Sequence, residues 1–155
     1  MESINASREV RATTDKVWNV VSEVDRDPEY WDGMNSLHNI RKEGNVIERS
    51  VVVGFMGHTG LQRIELSPRS SIELTMTKGP MKGSRVMKLT PLDGGKKTRI
   101  DVSWNFQFSG VPVFARAFVR SQIEGTTTEA LKRIAKAAEE PFSAASRSSK
   151  KKAAG

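Results

Sequence analysis

The side chains best suited to acid–base or metal chemistry in this sequence are its two histidines, His38 and His58. The 155 residues include no cysteine, which excludes a thiol nucleophile and a cysteine-ligated zinc. His38 lies in a run that alternates like a strand, and His58 follows a glycine in a predicted turn. Neither is accompanied by converging carboxylates, so the sequence predicts no metal site.

Serine nucleophiles and phosphate-binding loops are also unsupported by the sequence. The Gly-x-Ser-x-Gly elbow of α/β-hydrolases does not occur. The glycine-rich run 54–60 lacks the Gly-x-Gly-x-x-Gly spacing, the Walker lysine and a following helix. We therefore assign no catalytic residue and expect no bound cofactor.

Two arginines are the most informative polar residues, because each interrupts an apolar face. Alternate residues of the run 46–56 share one face of a strand, which places Arg49 among apolar neighbours such as Ile47. Arg85 is placed in the same way beside Met87. A buried arginine needs a carboxylate or a ligand anion as its partner, whereas an arginine at a rim extends its head group into water. Both interpretations stay open at the level of sequence.

The elements that position these side chains follow from the periodicity of the chain. Residues 3–10 alternate polar and apolar side chains, which predicts a first strand. Thr13 or Thr14 can cap a following helix, and Pro28 can start a second, shorter helix that presents Trp31. We therefore expect two short helices after the first strand.

A meander of six further strands is predicted between residues 37 and 108. Turn signals containing glycine, proline and asparagine separate runs of strand composition. The six runs are residues 37–42, 46–56, 59–66, 71–77, 85–92 and 98–108. In the last run, the residues from Ile100 to Phe108 alternate so that one face is apolar and the other polar. A one-sided apolar sheet of this length needs a cover.

The C-terminal run 113–139 supplies that cover as one long helix. It contains no proline and carries apolar residues at roughly helical spacing. Its middle, residues 124–129, is small or polar and includes Gly125, a poor helix former. This composition predicts either a kink at Gly125 or thin packing over a void.

This α+β order of elements resembles the START-like superfamily, also called polyketide cyclase/dehydrase-like, SRPBCC or birch-pollen-allergen-like. Residues 12–21, with their Val17-Trp18 pair, resemble its opening helix, and residues 27–31 resemble its Tyr-Pro-x-Trp turn with the proline displaced. The aromatic last strand followed by a long helix also resembles the coenzyme Q-binding branch. The resemblance covers residues 1–140 and implies a helix-grip fold. In that fold a curved seven-stranded antiparallel sheet is followed after strand one by two short helices and is covered by a long C-terminal helix.

For function, the resemblance implies an apolar cavity between the sheet and the long helix. The expected lining residues are Trp31, Arg49, Val51, Ile72, Leu74, Met76, Arg85, Met87, Val102, Trp104, Phe106, Phe114 and Phe118. The expected partner is a hydrophobic small molecule of quinone, isoprenoid or fatty-acyl type, bound without catalysis.

Two alternatives to a binding protein remain. The first is a cyclase/dehydrase-like or hydrolase enzyme that uses the same cavity, in which Arg49, Arg85, Tyr30 or His38 would polarise a carbonyl group or move a proton. The second is a module that binds RNA or a ribosomal surface.

The positive charge of the chain is concentrated at its C-terminal end. Of the net charge of +7, residues 141–155 carry four, through Arg147 and the three lysines at 150–152, so residues 1–140 carry +3. The composition of residues 141–155 predicts a disordered basic tail. The mild charge of residues 1–140 predicts no stable nucleic-acid complex and at most transient membrane contact. The first residues lack the apolar stretch of a signal peptide, so we expect a cytoplasmic location.

Overall fold

Seven strands form one antiparallel sheet in the order β1–β7–β6–β5–β4–β3–β2 in the computed structural model, which describes residues 1–54 and 57–140. The strands are β1 Glu2–Val10, β2 Met34–Glu43, β3 Val46–Val53, β4 His58–Ser67, β5 Ser71–Lys78, β6 Met81–Leu92 and β7 Lys97–Phe108. The helices are α1 Thr14–Val21, α2 Asp27–Tyr30 and α3 Val113–Glu139, with 3₁₀ turns at Val24–Arg26 and Asp93–Gly95. The predicted helix-grip fold is confirmed, with two short helices after β1 and a long C-terminal helix.

The two short helices begin where their capping chemistry allows. Thr13 is the N-cap of α1, and its hydroxyl accepts a hydrogen bond from the backbone N–H of Lys16 at 3.3 Å. Pro28 occupies the first turn of α2, where its missing N–H has no helical partner to lose. The apolar stripe of α1 buries Val17, and Trp31 at the end of α2 is only 3% exposed. The connection from β1 to β2 thus carries an indole into the core.

β6 begins earlier than the sequence predicts, at Met81 rather than Arg85. The turn expected over residues 79–83 is shorter, because Gly83 lies within the strand. Its φ is +148°, and a Cβ atom built there would lie 2.1 Å from the carbonyl oxygen of Asn105. Gly83 therefore lets β6 approach β7 more closely than any other residue could.

One face of the sheet is apolar, as the alternation of the strands predicts. In β7, Ile100, Val102, Trp104 and Phe106 are all buried. The buried residues of the covering helix all lie in its C-terminal half; they are Thr127, Ala130, Leu131, Ile134, Ala135 and Ala138. Residues 113–126 of α3 bury no side chain. The full burial of side chains between α3 and the sheet is therefore confined to the second half of the helix.

Two parts of the sequence-based predictions lie outside the described residues. These are the basic tail, residues 141–155, and residues 55 and 56 at the end of the predicted run 46–56. The last described helix, α3, ends at Glu139, one residue before the expected domain boundary. Within residues 1–54 and 57–140, no helix is both long enough and apolar enough to cross a lipid bilayer.

Candidate ligand-binding site

A small cavity lies where the sheet, the β1–β2 connection and the second half of α3 meet. Its lining residues are Val21, Val24, Asp27, Tyr30, Trp31, Ile72, Arg85, Met87 and Ile134. Six of these nine are aliphatic, thioether or indole side chains, and the polar ones are a carboxylate, a phenol and a guanidinium. The cavity volume is about 10 Å³, the space that one water molecule needs.

Arg49 of β3 is held by a complete set of protein partners. Its Nη2 donates to Asp27 Oδ2 at 2.7 Å and its Nη1 to the carbonyl oxygen of Val24 at 2.8 Å. Its Nε donates to Gln62 Oε1 at 2.9 Å, and the residue is fully buried. Because each nitrogen of the guanidinium is held by a hydrogen bond, Arg49 ties β3 to the start of α2.

Arg85 of β6 is almost as deeply buried, at 5% exposure, but is held differently. Its Cζ lies over the Trp31 ring, 4.0 Å from the ring centroid, and 5.5 Å from the centroid of Trp104. Its Nη2 is 4.0 Å from Asp27 Oδ2, which is too far for a hydrogen bond. Burial lowers the pKa of Arg85 to about 10, and the carboxylate of Asp27 opposes that change.

The cluster of Asp27, Arg49 and Arg85 carries a net positive charge. Burial raises the pKa of the Asp27 carboxyl, while the positive charges of Arg85 and Arg49 oppose the rise. One carboxylate cannot neutralise two guanidiniums, so the net charge is positive in either protonation state of Asp27. Tyr30 lines the same cavity, and burial raises the pKa of its phenol, which keeps the O–H available as a donor.

The polar middle of α3 provides a hydrogen-bond acceptor for the indole of Trp104. Trp104 Nε1 donates to Thr127 Oγ1 at 3.0 Å, and Thr127 Oγ1 donates to the carbonyl oxygen of Ile123 at 2.7 Å. Thr127 is completely buried. The void predicted beneath residues 124–129 is therefore not present at Thr127, where a hydroxyl satisfies a buried N–H.

Most of the predicted lining residues are buried on the apolar side of the fold. Trp31, Ile72, Arg85 and Met87 line the cavity itself. Seven more of the predicted residues are buried but do not line the cavity; they are Arg49, Val51, Leu74, Met76, Val102, Trp104 and Phe106.

Phe114 and Phe118 do not lie where the sequence placed them. Phe114 is 88% exposed and Phe118 is 59% exposed, so neither lines the cavity. The helical spacing that predicted their burial assumed that the sheet continues under the whole of α3. In the structure the fully buried side chains of the helix all lie in its second half, and Ile123 in the first half is only partly buried against the core.

Several residues of the site were not among the predicted lining. Asp27, Tyr30 and Ile134 line the cavity, and Gln62 completes the shell around Arg49. The need of a buried arginine for a carboxylate was a usable signal for Asp27, because that residue sits just before Pro28 at the start of a helical turn. The two histidines, by contrast, are exposed and do not line the cavity.

A seven-stranded antiparallel sheet that grips a long C-terminal helix, with a cavity at their junction, defines the helix-grip class of ligand-binding folds. Residues 1–139 match the family described as polyketide cyclase / dehydrase and lipid transport. The chain belongs to this family. Among curated proteins, it has no significant match.

Solved structures similar to this one share its fold at low sequence identity. The Zhui aromatase/cyclase from Streptomyces sp. R1128 superposes with a TM-score of 0.77 at 17% identity, over 89% of this chain and 93% of that chain. A protein from Thermus thermophilus gives a TM-score of 0.75 at 17% identity, over 88% and 97%. A START superfamily protein from Mycobacterium smegmatis gives 0.62 at 17% identity, over 85% and 92%. These similarities establish the START-like fold and do not identify a branch of the superfamily.

Proposed function

We propose that the protein binds a lipophilic small molecule between the sheet and α3. The observation that carries this proposal is the cavity beneath the second half of α3, with walls formed mainly by apolar side chains from three parts of the fold. Family membership supports it, because the family includes lipid transport in its description. Quinones, isoprenoids and fatty-acyl compounds are the ligand classes we propose for a widened form of this site, and membership of the coenzyme Q-binding branch stays a prediction.

A cavity of about 10 Å³ must widen to admit such a ligand. The first turns of α3, residues 113–122, are the segment best suited to move, because none of their side chains is fully buried and the partly buried Ile123 follows them. The ion pair from Arg120 Nη1 to Glu2 Oε1, at 2.9 Å, joins partly exposed groups and contributes about 0–1 kcal/mol. Displacing these turns breaks this ion pair and the hydrogen bond from Arg120 Nη2 to the carbonyl oxygen of Ser3, at 2.7 Å, but exposes no fully buried side chain. Phe114 and Phe118 would then offer apolar surface to a bound molecule.

Uptake of an uncharged fluorophore, N-phenyl-1-naphthylamine, tests the proposal. We expect the wild-type protein to enhance its fluorescence saturably. We expect Met87→Trp to weaken uptake, because the larger side chain occupies the cavity, at an overpacking cost of about 1–3 kcal/mol. Ile40→Trp is the matched control, since Ile40 is 60% exposed and lies on β2 away from the cavity.

Thermal melting of each variant accompanies the titration. A wild-type protein that takes up no fluorophore would refute the proposal. Equal weakening by both tryptophan substitutions would also count against it, because uptake would then not depend on the cavity.

A second candidate function is a cyclase- or dehydrase-type enzyme that uses the same cavity. The observation in its favour is that Tyr30 and Arg85 line one cavity, where a protonated phenol and a guanidinium could both act on a carbonyl oxygen. Mass spectrometry of compounds extracted from the protein, before and after incubation, distinguishes the two functions. An enzyme converts the compound, and Tyr30→Phe slows that conversion, whereas a carrier returns it unchanged.

A further inference from the structure

We propose that Arg85 is an anion-binding group and that the ligand is an amphipathic acid, with a carboxylate or similar oxyanion head on an apolar body. This inference rests on the proposed function, because it specifies what the same cavity takes. It starts from a difference between two buried arginines on neighbouring parts of one face. Each nitrogen of Arg49 donates a hydrogen bond within the protein, whereas Arg85 donates none among the described residues.

Hydrogen-bond capacity is the first argument. A guanidinium offers five N–H donors in a planar fork. Arg49 uses all three of its nitrogens on Gln62, Val24 and Asp27. Among the described residues, Arg85 donates no hydrogen bond, although it is only 5% exposed. Hydrogen bonds from a guanidinium to a charged acceptor are the strongest that these free donors could make.

Charge is the second argument. Asp27 lies between the two guanidiniums, but its Oδ2 is 2.7 Å from Arg49 and 4.0 Å from Arg85. The carboxylate is therefore committed to Arg49, and the excess positive charge is concentrated on Arg85. A ligand anion beside Arg85 would balance the cluster in a medium where charges interact strongly. A single water molecule would fill the present cavity but would leave the charge unbalanced.

The geometry around Arg85 is the third argument. Trp31 covers one face of the guanidinium at 4.0 Å, and Trp104 contacts Trp31 edge to face with 6.1 Å between ring centroids. A cation–π contact offers the guanidinium no hydrogen-bond acceptor, so its N–H groups stay available to donate. Because Arg85 lines the cavity together with Ile72 and Met87, those donors meet a space whose other walls are apolar except for Asp27 and Tyr30. A carboxylate head at Arg85 and a hydrocarbon body along those walls match this arrangement.

The test is competition against bound N-phenyl-1-naphthylamine by two amphiphiles of equal chain length, dodecanoic acid and 1-dodecanol. Both are used below their aggregation concentrations, at about pH 8, where the free acid is ionised. We expect wild type to prefer the acid by about 10- to 100-fold, the ratio that a hydrogen bond to a charged group supports. The preference should be unchanged between about pH 7 and pH 9, because Arg85 keeps its charge in that range.

Three variants identify the group responsible. Arg85→Gln should remove the preference for the acid while 1-dodecanol still competes, and Arg85→Lys should retain part of the preference. Arg41→Gln is the control for general surface charge, because Arg41 lies on β2, is largely exposed and does not line the cavity. It should leave the preference unchanged.

The outcomes separate this inference from the proposed function. Wild type that binds the acid and the alcohol equally overturns the inference and leaves the binding function standing. Wild type from which neither amphiphile displaces the bound fluorophore also overturns the inference, whereas wild type that takes up no fluorophore contradicts both. A preference for the acid that survives Arg85→Gln, or that is lost in Arg41→Gln, also overturns the assignment. The wild-type comparison decides the matter even if an Arg85 variant does not fold.

Discussion

Replacing Asp27 by asparagine removes the carboxylate that lies between two buried guanidiniums, with little change in side-chain volume. The interaction with Arg85 across 4.0 Å is worth about 4 kcal/mol at an effective dielectric constant of about 20. The contact with Arg49 Nη2 is shorter, at 2.7 Å. Removing one partner from a buried ionic cluster destabilises proteins by about 3–5 kcal/mol. We expect a loss in that range for Asp27→Asn.

Urea denaturation followed by tryptophan fluorescence measures this change directly. In a chain of this size, each kcal/mol lowers the melting temperature by about 2–4 °C, so the variant should melt about 6–20 °C below wild type. Adding Arg85→Met to Asp27→Asn should restore part of the loss, because it removes one of the two unbalanced charges.

Asp32→Asn is the matched control for this experiment. Asp32 Oδ1 accepts a hydrogen bond from Arg133 at 2.8 Å, but this pair is largely exposed to solvent. The control should therefore leave the melting temperature nearly unchanged. A loss below about 1 kcal/mol for Asp27→Asn would refute the view that its charge organises the cluster. A lack of recovery in the double variant would refute the view that Arg85 shares that charge.

Two further predictions concern the sheet and its cover. Gly83→Ala should destabilise the protein by about 1–3 kcal/mol or more in chemical denaturation, because its Cβ would collide with the Asn105 carbonyl. Gly125→Ala has open space around its Cβ and should stabilise the protein by about 0.5–1 kcal/mol. Equal effects at the two glycines would contradict the strand geometry at Gly83. Thr127→Val should cost about 1–3 kcal/mol by leaving the Trp104 N–H without an acceptor. In a double-mutant cycle, adding Trp104→Phe should recover part of that loss, and strict additivity would contradict the hydrogen bond.

The sheet could be predicted from the sequence because the patterns that indicate its strands and turns are local in the chain. Alternation over the residues from Ile100 to Phe106 identifies a buried face, and glycine-containing turns separate the strands. The buried position of Arg49 and of Arg85 followed from the same alternation. Period-two patterns report which residues share a face, and they need no knowledge of what lies opposite.

The contacts across the core could not be predicted in this way. The partner of Arg49 is Asp27, which precedes it by 22 residues and lies in a different kind of element. Helical periodicity likewise placed Phe118 on the packed stripe of α3, although it could not tell how far along the helix the packing extends. Thr127 was taken as a sign of weak packing, whereas its hydroxyl is the acceptor that Trp104 needs. Each of these depends on which elements meet, and that is decided by the tertiary fold.

The pairing of β1 with β7 has a consequence for how the chain acquires its structure. The register joins Glu2 to Phe106 and Val10 to Thr98, so β1 leaves the ribosome roughly 90 residues ahead of its partner. At synthesis rates of about 5–20 residues per second, β1 waits on the order of 5–20 s before β7 exists. During that interval its backbone groups are open to wrong partners. The polar and charged side chains that alternate along β1, such as Asn5 and Glu9, limit that hazard, because they keep a solitary strand hydrated until the sheet can close over it.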